Sequence, residues 1–126
     1  MKILVVGGAG YIGSHFVLEA HKKGNEVTVF DDLSSGSKLN LNDNIAFTKG
    51  STLSKKDLDE VMSSDNFDVA VHLAAFKAAG ESMLNPGKYA SNNIIGGLNL
   101  IESCVKNKIK NIIFSSSAAV YGTPQY

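Results

Sequence analysis

The fold is decided by the stretch Val5-Val6-Gly7-Gly8-Ala9-Gly10-Tyr11-Ile12-Gly13-Ser14-His15. It follows the apolar run Ile3 to Val6, which predicts a buried strand, and it opens the amphipathic run Tyr11 to Lys23, which predicts a helix. Parallel α/β sheets bind nucleotide diphosphates at such turns, because the helix N-terminus presents unpaired N–H groups and a partial positive charge. The pattern alone is weak evidence, and a glycine-rich turn that binds no ligand is the alternative.

An acidic residue in register with this turn makes the prediction more specific. The alternating run Glu26 to Phe30 predicts a second strand, and Asp31 follows it directly. Asp31 lies about twenty residues past the glycines, where a dinucleotide site needs a carboxylate for the adenosine ribose hydroxyls. No cation follows until Lys38, so nothing in the sequence neutralises a 2′-phosphate. This favours NAD over NADP as the cofactor.

Composition narrows the class of protein and of partner. The chain has 126 residues and a formal net charge of zero, which argues against nucleic acid or an anionic membrane as a partner. Its twelve basic residues are all lysines, so a diphosphate would be held by backbone N–H groups, hydroxyls or lysine. Cys104 is the single cysteine, and no signal peptide, membrane span or metal site is predicted. A cytoplasmic protein is the expectation.

The rest of the chain predicts further strands alternating with helices. Strands are expected over 45–49, 68–73 and 111–114, helices over 53–62 and 87–107, and loops over 33–44 and 74–86. Ser54 is a plausible N-cap for the shorter helix. Ile94, Leu98, Ile101 and Val105 form an apolar stripe on the longer one. This alternation predicts a Rossmann-type, doubly wound parallel sheet with strand order 3-2-1-4-5.

Several polar residues follow predicted strands and could contact a ligand at the carboxyl edge of the sheet. Lys77 is as consistent with a solvated lysine as with a contact to cofactor or substrate. His72 is more consistent with a packed strand-end residue than with a catalytic group. Asn92 lies in the first turns of the predicted helix, where an asparagine is often a local cap, so the residues alone do not assign it a ligand contact. The hydroxyls of 115–117 are well placed for a ligand, although a polar strand end is the simpler interpretation.

These stretches together resemble the first part of the UDP-glucose 4-epimerases, which are extended members of the short-chain dehydrogenase/reductase family. The resemblance rests on segments spread along the chain, of which Lys-Ala-x-Gly-Glu-Ser at 77–82 is the most specific; they are 7–15, 31–36, 72–82, 92–93 and 115–122. It implies that a tightly held NAD takes hydride from the sugar C4 and returns it to the opposite face of a 4-keto intermediate. UDP-glucose and UDP-galactose would thereby be interconverted.

The resemblance also implies roles for individual residues. Ser117 would be the catalytic hydroxyl that hydrogen-bonds the sugar 4-OH, Lys77 would contact the polar part of the cofactor, and Asp31 would hold the adenosine ribose. The implied cofactor contacts are Gly7, Gly10, Tyr11, Ile12, Gly13, Asp31, Asp32, Leu33, Ser34, Ser35, Gly36, Ser51, Thr52, Leu73, Ala74, Ala75, Lys77, Asn92 and Ser115.

The chain departs from the family pattern in places. Ser51 stands where the family usually has an aspartate for the adenine amino group, and a neutral hydroxyl should bind it more weakly. The family chemistry needs a tyrosine followed four residues later by a lysine, and no such pair occurs among these 126 residues. We therefore expect one NAD-binding domain over 1–126 that lacks the last strand and the substrate domain. Such a segment would be inactive alone.

Other functions remain open at this stage. Another sugar-nucleotide epimerase or a decarboxylase shares the same first turn, whereas a dehydratase is disfavoured because no carboxylate stands near Ser117. A noncatalytic NAD-binding module is the alternative that is not an enzyme, and the missing tyrosine–lysine pair supports it. A UDP-sugar substrate belongs to the expected longer protein. A homodimer through the helix over 87–107 is a further expectation.

Overall fold

A computed structural model describes residues 1–124 of the chain. Five strands alternate with helices, and their bounds are β1 (Lys2–Val6), α1 (Tyr11–Lys22), β2 (Glu26–Asp31), β3 (Ala46–Lys49), α2 (Lys55–Ser63), β4 (Val69–His72), α3 (Ala79–Leu84), α4 (Pro86–Ala90), α5 (Gly96–Lys106) and β5 (Asn111–Phe114). A π-helical segment, Ser91–Ile95, joins α4 to α5, and two short 3-10 turns lie at Lys38–Asn40 and Ala118–Tyr121.

The strands form one parallel sheet in the order β3-β2-β1-β4-β5, which confirms the predicted doubly wound Rossmann-type topology. β1 lies at the centre and pairs with β2 on one side and β4 on the other. The chain reverses its direction of winding after β3, because β4 returns to the far side of β1. The crevice beyond the carboxyl ends of β1 and β4 is therefore the topological switch point at which such sheets bind ligands.

Helices cover both faces of the sheet, and two apolar cores result. The α1 side contains alternate strand residues such as Val5, Val29 and Val71 together with Val17. The opposite side contains Leu4, Val6 and Phe30 with residues from α2 and α5. Both faces of β1 and β4 are thus buried, as expected for a parallel sheet between helices.

Local signals account for several helix ends. The Ser54 hydroxyl accepts a hydrogen bond from the Asp57 N–H and begins α2, which confirms the predicted N-cap. Gly24, whose φ is +81°, follows the C-cap of α1 and ends this helix. Across the α2–α5 interface Asp59 accepts hydrogen bonds from Ser103 and Lys106, and these bonds lower the pKa of Asp59, with the Lys106 bond the largest cause.

Two predictions about segments 74–107 were wrong in part. The expected loop over 74–86 contains the short helix α3, because its Ala, Glu, Met and Leu residues favour a helix despite Gly80. The expected continuous helix over 87–107 begins at Pro86, contains the π-helical segment and ends at Lys106. Elsewhere the predicted bounds agree to within two residues.

The predicted apolar stripe on the long helix does not face the sheet. Ile94, Leu98, Ile101 and Val105 are all about half exposed or more. The buried face of α5 instead carries Leu100 together with the smaller or polar residues Gly96, Asn99, Ser103 and Cys104. A side chain at Gly96 would place its Cβ only 2.5 Å from the Thr52 Oγ1 atom, so this close approach requires glycine. In residues 1–124 no helix is both long enough and apolar enough to cross a membrane.

Candidate functional site

A cavity of about 600 Å³ opens at the carboxyl edge of the sheet, where the sequence predicted ligand contacts. Segments that are distant in sequence line it together: the glycine turn, the end of β2, the loop after β4, the π-helical segment and the residues after β5. The predicted site residues among its lining are Gly7, Gly10, Tyr11, Ile12, Gly13, Asp31, Asp32, Ser34, Ser35, Thr52, Leu73, Ala74, Ala75, Lys77, Asn92, Ser115 and Ser117.

The glycine turn forms the floor of the cavity by close backbone packing. Gly7 has φ +85°, and a Cβ atom there would lie 2.5 Å from the Ala74 N atom. Gly13 lies against the Gly7 carbonyl, where a Cβ atom would clash with backbone. The first intrahelical bond of α1 runs from the Ser14 N–H to the Gly10 carbonyl. The N–H groups of 11–13 therefore lie at the N-terminus of α1, beside the cavity and open to an anion.

Asp31 is held rigidly beside this turn. Its Oδ2 atom accepts a hydrogen bond of 2.9 Å from the Ala9 N–H, and Oδ1 accepts one of 2.8 Å from the Leu33 N–H. To offer that N–H, Leu33 adopts a left-handed φ of +62°, which is unfavourable for a leucine. Asp31 as a whole is only 9 % exposed and lines the cavity. A fixed, partly desolvated carboxylate at this position is suited to accept hydrogen bonds from ribose hydroxyls.

Three of the predicted contacts do not line the cavity, and each has another role in this structure. Leu33 donates its N–H to Asp31, as described. Gly36 packs against the Ala9 backbone so closely that a Cβ atom would lie 2.7 Å from the Ala9 carbonyl. The Ser51 hydroxyl accepts a hydrogen bond from the Leu53 N–H, and its own N–H donates to Asp57. Leu33, Gly36 and Ser51 thus lie outside the cavity lining, and their direct contact with a ligand stays a prediction.

The segment after β4 crosses the middle of the cavity. Leu73 continues the sheet by donating its N–H to the Val6 carbonyl. Lys77 is exposed and lines the cavity, and within residues 1–124 its ammonium group forms no ion pair. A lysine that reaches a cavity without an internal partner can neutralise an anionic ligand there or donate hydrogen bonds to ligand hydroxyls.

The π-helical segment brings two adjacent asparagines to the same cavity. Asn92 donates from Nδ2 to the Asn93 Oδ1 atom over 3.0 Å. Asn93 also bonds both backbone groups of Phe76, 17 residues earlier in the chain. Sequence reasoning assigned no role to Asn93, because its partners are backbone groups that no side-chain pattern reveals. π-helical turns within longer helices occur frequently at functional sites.

Three serines end β5 at the far side of the cavity. The Ser115 N–H donates to the His72 carbonyl, which continues the β4–β5 pairing by one residue. The Ser117 Oγ atom accepts a hydrogen bond of 3.1 Å from the Ala119 N–H. Its own hydroxyl proton remains available to a ligand, so Ser117 can act as a hydrogen-bond donor at the cavity.

His72 also lines the cavity but is 5 % exposed, in agreement with a packed strand-end residue. Its Nδ1 atom is buried and has no hydrogen-bond partner among residues 1–124. Burial lowers the pKa of His72 below its ordinary value of 6.5, which favours the neutral imidazole. Phe114 lies beside it, with ring centroids 5.7 Å apart. Neither aromatic ring offers an obvious sequence signal beyond its place at the end of a strand.

The donor set fits an elongated nucleotide cofactor. The turn supplies a diphosphate cradle that any Cβ at Gly7 or Gly13 would fill. Asp31 supplies an acceptor for a sugar, and Lys77 and Ser117 line the same cavity. These residues match an organic dinucleotide. In the described part of the chain no cluster of three metal-ligating side chains occurs.

Comparison with known proteins gives consistent matches. UDP-glucose 4-epimerase of Bacillus subtilis (strain 168) is 41 % identical over 132 residues, covering 99 % of this chain and 39 % of that protein. The structure of UDP-glucose 4-epimerase from Brucella ovis in complex with NAD superposes with a TM-score of 0.93 at 38 % identity. It covers 99 % of this chain and 38 % of its own.

A further solved structure, UDP-glucose 4-epimerase from Thermotoga maritima with UDP-glucose, has a TM-score of 0.92 at 39 % identity and covers 100 % of this chain and 41 % of its own. The chain spans about two fifths of the length of the relatives it matches. The family model described as NAD dependent epimerase/dehydratase family matches residues 3–126. The chain therefore belongs to the NAD-dependent epimerase/dehydratase family.

Proposed function

We propose that this chain binds NAD and forms the cofactor-binding part of an enzyme that interconverts UDP-glucose and UDP-galactose. The observation that carries the proposal is the single cavity that joins the glycine turn, Asp31, Lys77 and Ser117. Bound NAD would supply a reversible hydride acceptor for the sugar C4. The relatives named above, one solved with NAD and one with UDP-glucose, support the same assignment.

Each part of the cavity would have a distinct task in that enzyme. The N–H groups at the start of α1 would bind the pyrophosphate, and Asp31 would accept hydrogen bonds from the adenosine ribose. Lys77 would contact the polar part of the cofactor. Ser117 would donate its hydroxyl proton toward the 4-oxygen of the sugar and orient it for hydride transfer.

The surroundings of Asp31 support NAD rather than NADP. Both carboxylate oxygens are already fixed by backbone N–H groups, so the negative charge cannot turn away from a 2′-phosphate. The nearest following cation, Lys38, lies over the Phe47 ring, 5.6 Å from its centroid. A 2′-phosphate would therefore meet a carboxylate without a compensating cation. We expect the chain to bind NAD at least tenfold more tightly than NADP.

We also propose that these 126 residues do not catalyse epimerisation by themselves. No tyrosine in the chain is followed four residues later by a lysine, so the expected general acid–base group is not supplied within it. A noncatalytic NAD-binding module is the second candidate, and this same observation favours it.

Two measurements on the 126-residue chain test these proposals. Isothermal titration with NAD and with NADP should show saturable binding of NAD and a weaker response to NADP, and no NAD binding at millimolar concentration would refute the assignment. A turnover assay with UDP-galactose and NAD should show no UDP-glucose, and measurable product would refute the claim of incompleteness. Activity restored in a longer protein that carries the tyrosine–lysine pair would favour the enzyme over the module.

A homodimer through α5 remains a proposal. The exposed stripe formed by Ile94, Leu98, Ile101 and Val105 supports it, because a row of apolar side chains on one helix face is costly to leave in water. Sedimentation equilibrium should give a dimer that Ile101→Lys converts to a monomer. A wild-type chain that stays monomeric over a roughly 100-fold range of concentration, up to about 100 µM, would contradict the proposed homodimer.

A further inference from the structure

The side-chain amide of Asn93 forms a two-point clamp on the backbone of Phe76. The Phe76 N–H donates to Asn93 Oδ1 over 2.9 Å, and Asn93 Nδ2 donates to the Phe76 carbonyl over 2.9 Å. The two bonds copy the pattern that a neighbouring strand would make, although Phe76 lies beyond the end of β4. The clamp therefore fixes the residue that directly precedes Lys77.

The Phe76 ring is held from another direction. The Tyr89 ring lies 5.6 Å from it between centroids, and the Lys88 ammonium lies 5.0 Å from its centroid. Glu81 accepts hydrogen bonds from Lys88 and from the Tyr89 hydroxyl and so ties both residues to α3. Backbone and side chain of Phe76 are thus both fixed by residues that follow it in sequence.

The same contacts keep Lys77 without an internal partner. Glu81 is four residues after Lys77 and is the nearest acidic residue in sequence. Its two oxygens accept hydrogen bonds from Lys88 and Tyr89, and its salt bridge is with Lys88 rather than with Lys77. A lysine on an unanchored segment would have to be ordered when a ligand binds, which costs affinity. Because the clamp already orders the backbone beside Lys77, little further ordering of that backbone is needed when a ligand binds.

Asn93 lies within the π-helical segment, next to Asn92, and both residues line the cavity. Asn92 donates to the Asn93 Oδ1 atom that also accepts from the Phe76 N–H, so the clamp lies directly beside a predicted cofactor contact. One turn later Gly96 packs against Thr52.

We infer that Asn93 is a positioning residue, which acts through Phe76 to hold Lys77 in place for the cofactor. The inference rests on the proposed function, since it takes Lys77 to be a cofactor contact. It assigns no direct ligand contact to Asn93. Its effect on binding should therefore vanish when the Lys77 ammonium is absent.

A double-mutant cycle on the 126-residue chain tests this by isothermal titration with NAD. Lys77→Gln should weaken binding about tenfold, and Asn93→Ala about fivefold. In the Lys77→Gln background, Asn93→Ala should change affinity less than twofold. Equal losses in both backgrounds, or no loss in either, would overturn the inference.

Two controls separate positioning from general destabilisation. Asn107→Ala removes a similar hydrogen bond, which the side-chain amide of Asn107 donates from Nδ2 to the Ser103 carbonyl outside the cavity. It should lower stability without changing NAD affinity or coupling to Lys77. Asn93→Asp keeps the acceptor and the size of the side chain, and it serves if Asn93→Ala fails to fold. It should still lose affinity in the same Lys77-dependent way, and unchanged affinity in this variant would also overturn the inference.

A readout independent of NAD follows the clamp itself. Amide hydrogen exchange at Phe76 should accelerate at least tenfold in Asn93→Ala and stay unchanged in Asn107→Ala. Unchanged exchange at Phe76 would show that the clamp does not hold this segment and would refute the inference even if NAD binds. Failure of the wild-type chain to bind NAD while Phe76 is protected would instead overturn the proposed function, and the role of Asn93 toward the cofactor would fall with it.

Discussion

Strands β1 and β5 belong to the same sheet and point at the same cavity, yet their surroundings differ. Four of the five residues of β1 are buried, whereas all four residues of β5 are exposed. β1 leads into the glycine turn, and β5 leads into the serines that include Ser117. The turn predicted to bind the diphosphate therefore follows a buried strand. Ser117, the candidate catalytic residue, follows an exposed strand. Cofactor binding and catalysis should accordingly depend on different parts of the molecule.

The largest effect is expected at the turn after β1. Gly7→Ala adds a Cβ atom beside the Ala74 backbone at a φ of +85°, and should lower the free energy of unfolding by about 2–4 kcal/mol. Urea denaturation measures this change, and NAD binding should be lost. Gly80→Ala is the matched control, because a Cβ atom there meets nothing within 4 Å and helical alanine is favoured. Similar stability of the two variants would contradict the packed description of the turn.

The next effect compares β4 and β5 at a shared register position. Val71 pairs with Ile113, but Val71 is 2 % exposed and Ile113 is 55 % exposed. Val71→Ala should therefore cost about 2–3 kcal/mol in urea denaturation, and Ile113→Ala below about 1 kcal/mol. A cost at Ile113 as large as that at Val71 would show that β5 is covered in solution, for instance by a second copy of the chain.

Asp31 should show a smaller loss of stability with a larger loss of binding. Asp31→Asn turns an amide donor toward the Ala9 or Leu33 N–H, which should cost about 1–3 kcal/mol of stability. NAD affinity should fall more than tenfold in calorimetric titration. Asp43→Asn is the control, since Asp43 is exposed and lies outside the cavity lining. Equal effects of the two variants would argue against a special role for Asp31.

The smallest effect is a pH dependence from His72, which lies on β4 beside β5. Burial lowers its pKa below 6.5 in the folded chain, so the unfolded chain binds a proton more readily. Stability should therefore fall as pH drops through about 6.5, and level off below the folded pKa. His72→Asn should show a shallower fall between about pH 7 and pH 5.5 in denaturation series. Parallel curves for the two proteins would rule out a buried neutral His72.

Local chemistry explains why some features were predictable from sequence. The glycine turn and Asp31 were predictable because a dinucleotide site requires backbone without Cβ atoms at the first turn and a carboxylate at the end of the next strand. The sheet order followed from alternation of strands and helices. These needs involve residues close in sequence or a simple period, so a single chain reveals them.

Other features depend on contacts that a pattern does not encode. The sequence did not decide whether the stripe from Ile94 to Val105 packs against the sheet or forms a dimer contact. In the structure it is exposed, and Gly96 on the buried face closely approaches Thr52. The clamp from Asn93 to Phe76 escaped notice because it uses backbone atoms as partners. Ser51 is predicted to contact the cofactor, and the hydrogen bond that its hydroxyl accepts from the Leu53 N–H was not apparent from the sequence.

The π-helical segment has a consequence for which changes of length this chain can tolerate. A π-turn holds one more residue than a regular turn, so deleting one residue within Ser91–Ile95 would allow an ordinary helix to form. The helices on either side would keep their relative orientation, but the deletion would remove one of the two asparagines or displace them from the cavity lining. Homologous chains that conserve both ends of this helix should therefore keep its length unchanged across the segment, while length variation collects in the loop between β2 and β3.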